Sequence, residues 1–212
     1  MKLIYLILLI ALIFISGCTI TGFFAKDVCS DEKTDYLRDE CYINLAAESA
    51  DLSICSRVKD AKTLNYCYAR IAPLLNDIKI CSDLIKDDTY WKDICFNSIA
   101  ESTLDFSVCF LVVDKNMKNK CFNNAALATN NPEACRPISD NAKKENCIYD
   151  TAKATHNASI CLLLSAEVNK DICMNKIAKD TSNSTICNMI NTSKIKESCL
   201  EKINSENLIE PD

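Results

Sequence analysis

Apolar residues recur along this chain in two helical stripes, and both stripes repeat every 26 residues. In the first stripe, two apolar residues four positions apart flank a cysteine, as Ile54 and Val58 flank Cys55. In the second stripe, a large residue follows another cysteine, and an apolar residue and an alanine follow one turn later. Because spacings of three and four residues share one face of an α-helix, each repeat is predicted to form two packed helices.

The repeat extends over residues 29 to 203 and comprises seven units. Six of them place an alanine at the same position, where a small side chain allows a neighbouring helix to approach closely. These residues are Ala46, Ala72, Ala100, Ala126, Ala152 and Ala178. A fixed period of this length is typical of stacked units that share one core. The predicted fold class is all-α, an α-solenoid of seven helical hairpins.

A capping residue precedes the first helix of each unit from the second onward, four positions before the cysteine. These residues are Asp51, Asp77, Asp105, Asn131, Asn157 and Asn183. Asp and Asn are favoured there because their side-chain oxygens accept the unpaired N–H groups of the first turn. A short first helix of about eight residues is predicted at each site. Because Pro137 and Pro73 fall inside predicted helices, a kink or an early stop is expected at both.

Fourteen of the fifteen cysteines stand at fixed positions of the repeat. The first cysteines of the units are Cys29, Cys55, Cys81, Cys109, Cys135, Cys161 and Cys187, and the second are Cys41, Cys67, Cys95, Cys121, Cys147, Cys173 and Cys199. An antiparallel hairpin that turns midway between the two cysteines of a unit favours a disulfide bond within that unit. The competing scheme bonds each second cysteine to the first cysteine of the next unit, and it leaves Cys29 and Cys199 unpaired. Unit three carries a two-residue insertion between its cysteines.

The spacing of the cysteines and the scarcity of glycine argue against several kinds of active site. Structural zinc sites and thiol oxidoreductases use close pairs such as Cys-x2-Cys, whereas the nearest cysteines of the repeat are twelve residues apart. Residues 29 to 212 contain no glycine, which phosphate-binding loops and nucleophile elbows require. We therefore predict no catalytic residue, no metal and no cofactor, and a protein that is not an enzyme.

The start of the chain has the features of an export signal, because a long apolar run over residues 3–15 precedes Ser16, Gly17 and Cys18. Ile15-Ser16-Gly17-Cys18 resembles the lipobox of prokaryotic lipoproteins, which implies cleavage before Cys18 and lipid attachment to its thiol. The alternative is an uncleaved signal anchor, since residues 3–25 carry no charge and are long enough to span a bilayer. Both interpretations place the body outside the cytoplasmic membrane, on its outer face or at the cell surface, where disulfides persist.

The predicted organisation follows from these features. Residues 1–17 form the signal peptide (or 3–25 the anchor), 18–25 a tether, 26–204 the seven-repeat solenoid and 205–212 a C-terminal tail. The formal net charge is −5 with both signs interleaved, which argues against nucleic acid as a partner.

One cysteine per helix and the alanine-lined seam resemble disulfide-stapled Sel1-like repeat proteins, although the period is shorter and that family's glycines are missing. The resemblance implies a scaffold for protein interactions. The predicted function is accordingly a membrane-anchored protein-interaction or surface-structural scaffold, whose partner is an unknown envelope or extracellular protein or glycan. The alternatives are an enzyme that uses carboxylates on one solenoid face and a purely structural envelope component.

Two aromatic residues and one histidine are further candidates for a binding role. Tyr90 and Trp91, the sole tryptophan, fall in the lengthened loop of unit three. There they either form an exposed binding anchor or fill the extra space of the loop. His156, the sole histidine, lies in a linker and is interpreted as a solvated turn residue.

Three acceptor sequons for N-linked glycans lie in the last two units. Their asparagines are Asn157, Asn183 and Asn191. The first two occupy the same repeat position, where helix capping alone also accounts for Asn followed by Ser or Thr. Glycosylation and capping therefore both remain possible interpretations.

Overall fold

The computed structural model describes residues 28 to 207, in which seven long helices alternate with six short ones and no strand occurs. The long helices are α1 (Asp35–Ser49), α2 (Ala61–Leu75), α3 (Thr89–Thr103), α4 (Lys115–Thr129), α5 (Asn141–Ala154), α6 (Glu167–Asp180) and α7 (Ser193–Asn207). The short helices are η1 (Leu52–Arg57), η2 (Ile80–Leu84), η3 (Phe106–Leu111), η4 (Pro132–Cys135), η5 (Ala158–Leu163) and η6 (Ser184–Asn188). Each unit is a hairpin of one short and one long helix, and in unit one a turn at residues 28–31 replaces the short helix. The predicted all-α solenoid of stapled hairpins is confirmed.

The short helices are tighter and shorter than predicted, because four of them (η1, η3, η4 and η5) are 3₁₀-helices of four to six residues. In unit two the side chain of Asp51 accepts a hydrogen bond from the N–H of Ser53 and begins the helix. The N–H of Val58 closes it on the carbonyl of Cys55. The six residues between these ends leave no room for two full α-helical turns. The predicted length of about eight residues is therefore wrong.

Unit three accommodates its insertion partly in η2, a π-helix. In unit four the buried residues on either side of the cysteine, Val108 and Val112, are four positions apart. In unit three the buried pair is instead Ile80 and Ile85, whereas Leu84 is 38% exposed. A π-helix spans five residues per hydrogen bond, so it shifts the buried position by one residue. The four-residue spacing of the other units predicts Leu84 at this buried position, and that prediction is wrong for this reason.

Side-chain caps begin most of the short helices at the predicted residues. Five predicted caps accept a hydrogen bond from the N–H two residues later: Asp51, Asp105, Asn131, Asn157 and Asn183. Asp77 accepts the N–H of Lys79 at 2.9 Å, but η2 itself begins after Lys79 and has no side-chain cap. A second set of caps, which was not predicted, begins five of the long helices: Thr34, Asp60, Asp88, Asp114 and Asp140.

The turns between units use left-handed backbone conformations without glycine. Six residues that follow or end α1 to α6 have φ between 49° and 57°: Ala50, Asn76, Leu104, Asn130, His156 and Ser182. After α1, the N–H of Asp51 bonds to the carbonyl of Ala46 at 3.1 Å, and the Asp51 side chain caps η1. Adjacent residues thus end one helix and begin the next, which keeps the linkers short. His156 is exposed in this turn.

The alanine seam is buried throughout. Around the second cysteine, unit one is more exposed to solvent than the other units in residues 28 to 207. All six seam alanines are 0% exposed. The second cysteine is at most 1% exposed in units two to seven, whereas Cys41 of unit one is half-buried. Leu45 is also half-buried, although its equivalents in the later units are buried. Terminal repeats differ in this way because one face has no neighbouring repeat.

Of three predicted helix boundaries, one agrees with the structure and two differ from it. Pro73 lies inside α2, but that helix continues to Leu75 and ends in register with the other long helices, so no early stop occurs there. A proline so close to the C-terminus removes only one late hydrogen bond. In unit five η4 ends at Cys135, two residues before Pro137, which is the early stop expected there. The last helix, α7, continues to Asn207, beyond the predicted solenoid end at residue 204.

Candidate functional site

Each unit contains a disulfide bond between its own two cysteines. The bonds are Cys29–Cys41, Cys55–Cys67, Cys81–Cys95, Cys109–Cys121, Cys135–Cys147, Cys161–Cys173 and Cys187–Cys199. Their Cα atoms lie 5.6 to 5.8 Å apart, and every first cysteine is 0% exposed. The within-unit pairing predicted from the hairpin is confirmed. The bonds link each short helix, or the turn of unit one, to its long helix and serve a structural role.

Buried carboxylates join successive units in a second repeated contact. Asp39, Asp93 and Asp171 stand two residues before the second cysteine of their units and are at most 3% exposed. The two carboxylate oxygens accept hydrogen bonds from two consecutive backbone N–H groups of the next unit, just before or at the start of its long helix. We call these contacts the carboxylate clamps. These hydrogen bonds pair the buried backbone donors, and they compensate the negative charge of the buried carboxylate.

The clamp at Asp93 shows the geometry. Its Oδ1 accepts the N–H of Val113 at 2.7 Å, and its Oδ2 accepts the N–H of Asp114 at 2.8 Å. The corresponding donors are Lys59 and Asp60 for Asp39, at 3.0 and 3.1 Å, and Asn191 and Thr192 for Asp171, at 3.0 and 2.9 Å. In unit five the longer side chain of Glu145 reaches one N–H, that of Ser165, with both oxygens at 3.1 and 3.2 Å.

The clamp at Asp171 includes a hydroxyl donor. Thr192 donates its side-chain hydroxyl to Oδ2 at 2.5 Å. Burial raises the pKa of Asp171, but the hydrogen bonds from Thr192 and from the N–H of Asn191, together with the charge of Lys170, hold the pKa below its ordinary value. Because the folded-state pKa is lowered, this clamp stabilises the fold fully above the ordinary pKa of an aspartate. That stabilisation is lost as the pH falls through the folded-state pKa.

An asparagine occupies the clamp position in unit four. Asn119 is 5% exposed, and its Nδ2 has no hydrogen-bond partner within the described residues. An amide nitrogen is a donor and cannot accept a backbone N–H. The junction between units four and five therefore lacks the second acceptor that Asp93 provides one unit earlier.

An aromatic groove lies across α1, α2 and α3, and it is the candidate binding site. This cavity of about 450 Å³ is lined by Tyr36, Glu40, Ile43, Lys62, Thr63, Tyr66 and Trp91. The ring centroid of Trp91 lies 5.1 Å from that of Tyr66 and 5.3 Å from that of Tyr90, which it meets edge to face. Tyr36 is 70% exposed and Tyr66 39% exposed, so much of this aromatic surface faces solvent.

The placement of Trp91 differs from the sequence-based prediction. Tyr90 and Trp91 lie in the first turn of α3, not in the lengthened loop. The side chain of Asp88 accepts the N–H of Trp91 at 3.1 Å and begins the helix at Thr89. Asp87, in the left-handed conformation with φ of 54°, lies within the insertion. Tyr90 is exposed and Trp91 is half-buried against Tyr66, which makes the pair a partly packed surface cluster.

Several charged groups next to the groove already have partners. Asp35 contacts Arg38 at 2.5 Å and Lys59 at 3.4 Å. The hydrogen bond from Lys59 and the two positive charges hold the pKa of Asp35 below its usual value. The side chains of Glu40 and Lys62 line the groove, are exposed, and make no hydrogen bond or ion pair with another residue in the range 28–207. The groove therefore combines open aromatic rings with a carboxylate that is available to a ligand.

The other predicted sites are distributed as follows. Cys18 and the apolar segment at residues 3–25 lie outside the described residues. None of the helices between residues 28 and 207 is long and apolar enough to cross a membrane. Over the same range, no group of three or more His, Cys, Asp or Glu side chains is arranged to hold a metal ion. The sequon residues Asn157, Asn183 and Asn191 are exposed.

The aromatic groove was not predicted as a site, because its residues come from three units and occupy different positions of the repeat. The available signal was the local concentration of aromatic residues in units one to three, with Tyr36, Tyr66, Tyr90 and Trp91 all near the starts of long helices. Comparisons with protein-family models, with curated proteins and with solved structures found no match to this chain. The resemblance to Sel1-like repeats therefore stays a prediction.

Proposed function

We propose that this protein is an exported, membrane-tethered scaffold that binds another protein through its aromatic groove. Seven buried disulfide bonds indicate an oxidising, extracytoplasmic environment. A stack of stapled hairpins supplies a rigid support for a binding surface, as in other repeat proteins. The observation that carries the proposal is the cluster of exposed Tyr36 and Tyr66 with half-buried Trp91 around an open cavity.

The composition of the groove favours a protein partner. Trp and Tyr are enriched among the residues that dominate binding energy at protein interfaces, since they bury large areas and lose little conformational entropy. Glu40 is unpaired within the described residues and lies beside these rings. A basic side chain of the partner would satisfy Glu40 and stack against a tyrosine or tryptophan ring at the same time. The partner segment is therefore expected to combine an apolar anchor with Lys or Arg.

The same contacts give little support to the carboxylate-enzyme alternative. A mechanism that uses paired carboxylates, as in most glycoside hydrolases, needs two carboxyl groups that can act on the same substrate. Near the groove, Asp39 accepts two backbone N–H groups, Asp60 caps α2, and Asp35 is paired with two cations. Glu40 is the one carboxylate among the residues that line the groove, and a single carboxylate suits binding better than a mechanism with two.

Replacement of Tyr36 by serine is expected to weaken capture of the partner by about thirtyfold, the effect of losing a typical interface anchor of about 2 kcal/mol. Full-length, oxidised protein in detergent is used as bait for membrane and envelope proteins of the native host, with quantitative mass spectrometry. Val113→Ser is the control, because Val113 is 71% and Tyr36 70% exposed and Val113 does not line the groove. Glu40→Lys tests the charge of the partner and is expected to weaken capture as well.

The control decides the result. A protein that is lost with Tyr36→Ser and Glu40→Lys but retained with Val113→Ser supports the proposal. Equal recovery with all three variants contradicts it. If the variants reduce the recovery of glycans and no protein is recovered, the partner is a glycan and the proposal of a protein partner is contradicted.

Anchoring through Cys18 is the second part of the proposal, because Ile15-Ser16-Gly17-Cys18 resembles a lipobox. Cys18→Ser is expected to abolish lipid attachment and to mislocalise the protein or release it from the membrane fraction. Intact-mass analysis of that fraction is the measurement. An unprocessed wild-type chain that still begins at Met1 would contradict lipid attachment and favour the signal anchor.

A further inference from the structure

The three sequons present their asparagine amides in two different ways. In unit six, Oδ1 of Asn157 accepts the N–H of Ser159 at 3.0 Å and its hydroxyl at 2.6 Å. One repeat later, Oδ1 of Asn183 accepts the N–H of Thr185 at 3.0 Å and its hydroxyl at 2.5 Å. Both asparagines are exposed, and neither Nδ2 makes a hydrogen bond to any described residue. Capping thus occupies the amide oxygen and leaves the amide nitrogen accessible.

Asn191 is held differently. Its Nδ2 donates a hydrogen bond to Oε1 of Glu167 in α6. Its backbone N–H donates to Oδ1 of Asp171 at 3.0 Å as part of a carboxylate clamp. The hydrogen bond from Asn191 is the main cause that lowers the pKa of Glu167, so Glu167 is an ionised acceptor at neutral pH. The amide nitrogen and the backbone of Asn191 are therefore both engaged in the folded protein.

We propose that Asn157 and Asn183 are acceptor sites for N-linked glycans in the folded protein and that Asn191 is not. In the reaction, Nδ2 of the asparagine forms a bond to the anomeric carbon of a lipid-linked oligosaccharide. The bond from that carbon to the lipid phosphate oxygen breaks, the lipid phosphate leaves with the electron pair, and the amide nitrogen loses one proton. The modified amide keeps its carbonyl oxygen, so the cap of the short helix persists.

The two acceptor sites have a position that fits the proposed binding role. Asn157 and Asn183 precede η5 and η6 at the same repeat position, in units six and seven. The aromatic groove is built from α1, α2 and α3, in units one to three. Glycans on Asn157 and Asn183 would thus be attached to different units from those that form the groove. The inference depends on export but not on binding through the groove.

Folded and unfolded protein should be modified differently. Full-length, oxidised protein in detergent is incubated with a purified single-subunit oligosaccharyltransferase and a synthetic lipid-linked oligosaccharide, and glycopeptide mass spectrometry measures the occupancy of each site. Occupancy at Asn157 and Asn183 is expected to exceed that at Asn191 by about threefold or more, the effect of one solvent-exposed hydrogen bond to a carboxylate. After reduction and denaturation, the three occupancies should converge, because the fold no longer holds Asn191.

Glu167→Ala is the matched variant, since it frees the Nδ2 of Asn191 without touching Asn157 or Asn183. It should raise the occupancy of Asn191 in the oxidised protein and leave the other two unchanged. Equal modification of all three sites in the folded wild type would overturn the proposal. So would modification of Asn157 and Asn183 only after reduction, or their lack of modification in both states.

Discussion

Reduction of the seven disulfide bonds is expected to unfold most of the helical structure at room temperature. Each bond closes a ring of about a dozen residues and contributes about 3 kcal/mol in the chain-entropy model. The seven contributions sum to about 20 kcal/mol, which exceeds the net stability of about 5–15 kcal/mol typical of folded proteins. Short helices of four to six residues do not persist without such closure. Far-ultraviolet circular dichroism before and after addition of reductant measures the effect.

Stepwise reduction also tests whether the disulfide bond of unit one is the most accessible to solvent. Because Cys41 is half-buried and the other second cysteines are at most 1% exposed, Cys29–Cys41 should be the first bond to react. Thiol alkylation and mass spectrometry at increasing reductant concentrations give the order. Oxidised protein carried through the same steps without reductant is the control. If the helical signal survives complete reduction, the fold does not depend on its disulfide bonds and the prediction is contradicted.

Asp93→Asn is expected to lower the free energy of unfolding by about 3 kcal/mol, since hydrogen bonds to a buried charged group are the strong ones. The substituted amide keeps one acceptor, but its NH₂ group faces one of the two backbone donors, Val113 or Asp114. Urea unfolding with the disulfides intact measures the loss. Hydrogen exchange should also show faster exchange at the amides of Val113 and Asp114.

Two further variants make this test specific. Asp150→Asn changes an exposed carboxylate on α5 and is expected to leave stability within about 0.5 kcal/mol of the wild type. Asn119→Asp supplies the missing second acceptor in unit four and is expected to slow exchange at the junction with unit five. Unaltered stability and exchange in Asp93→Asn would show that the clamps do not hold the units together.

The repeat and its staples were predictable because they leave a periodic signal in the sequence. Cysteine, alanine and the capping Asp or Asn each recur at a fixed position, and each has a local physical reason for its place. Whether the short helices are 3₁₀-helices or α-helices was harder to predict. A 3₁₀-helix and an α-helix bury the same residues around the cysteine, so an apolar spacing such as that of Ile54 and Val58 does not distinguish them.

The clamps were missed although Asp39, Asp93 and Asp171 occupy one repeat position. Asn and Glu interrupt the series in the other units, and charged residues in a polar stretch are usually solvated. Only the packing of one unit on the next shows that two backbone N–H groups lie within reach. Those donors are 20 and 21 residues further along the chain.

The aromatic groove is a different kind of feature, because it is not periodic. Tyr36, Tyr66 and Trp91 stand at different positions within their units, and they meet only when three long helices pack side by side. The sequence drew attention to Trp91 as a unique residue but placed it in a loop. Because the side chain of Asp88 caps α3, Trp91 lies in the first turn of that helix and contacts Tyr66.

Peptide mapping without reduction tests the stapled-repeat architecture most directly. Protein isolated from membranes is alkylated, digested under non-reducing conditions and analysed by mass spectrometry. The account predicts that Cys55 is recovered with Cys67 and Cys161 with Cys173, and that no free thiol occurs among the fourteen repeat cysteines. Recovery of Cys67 bonded to Cys81, or of free repeat thiols, would contradict it.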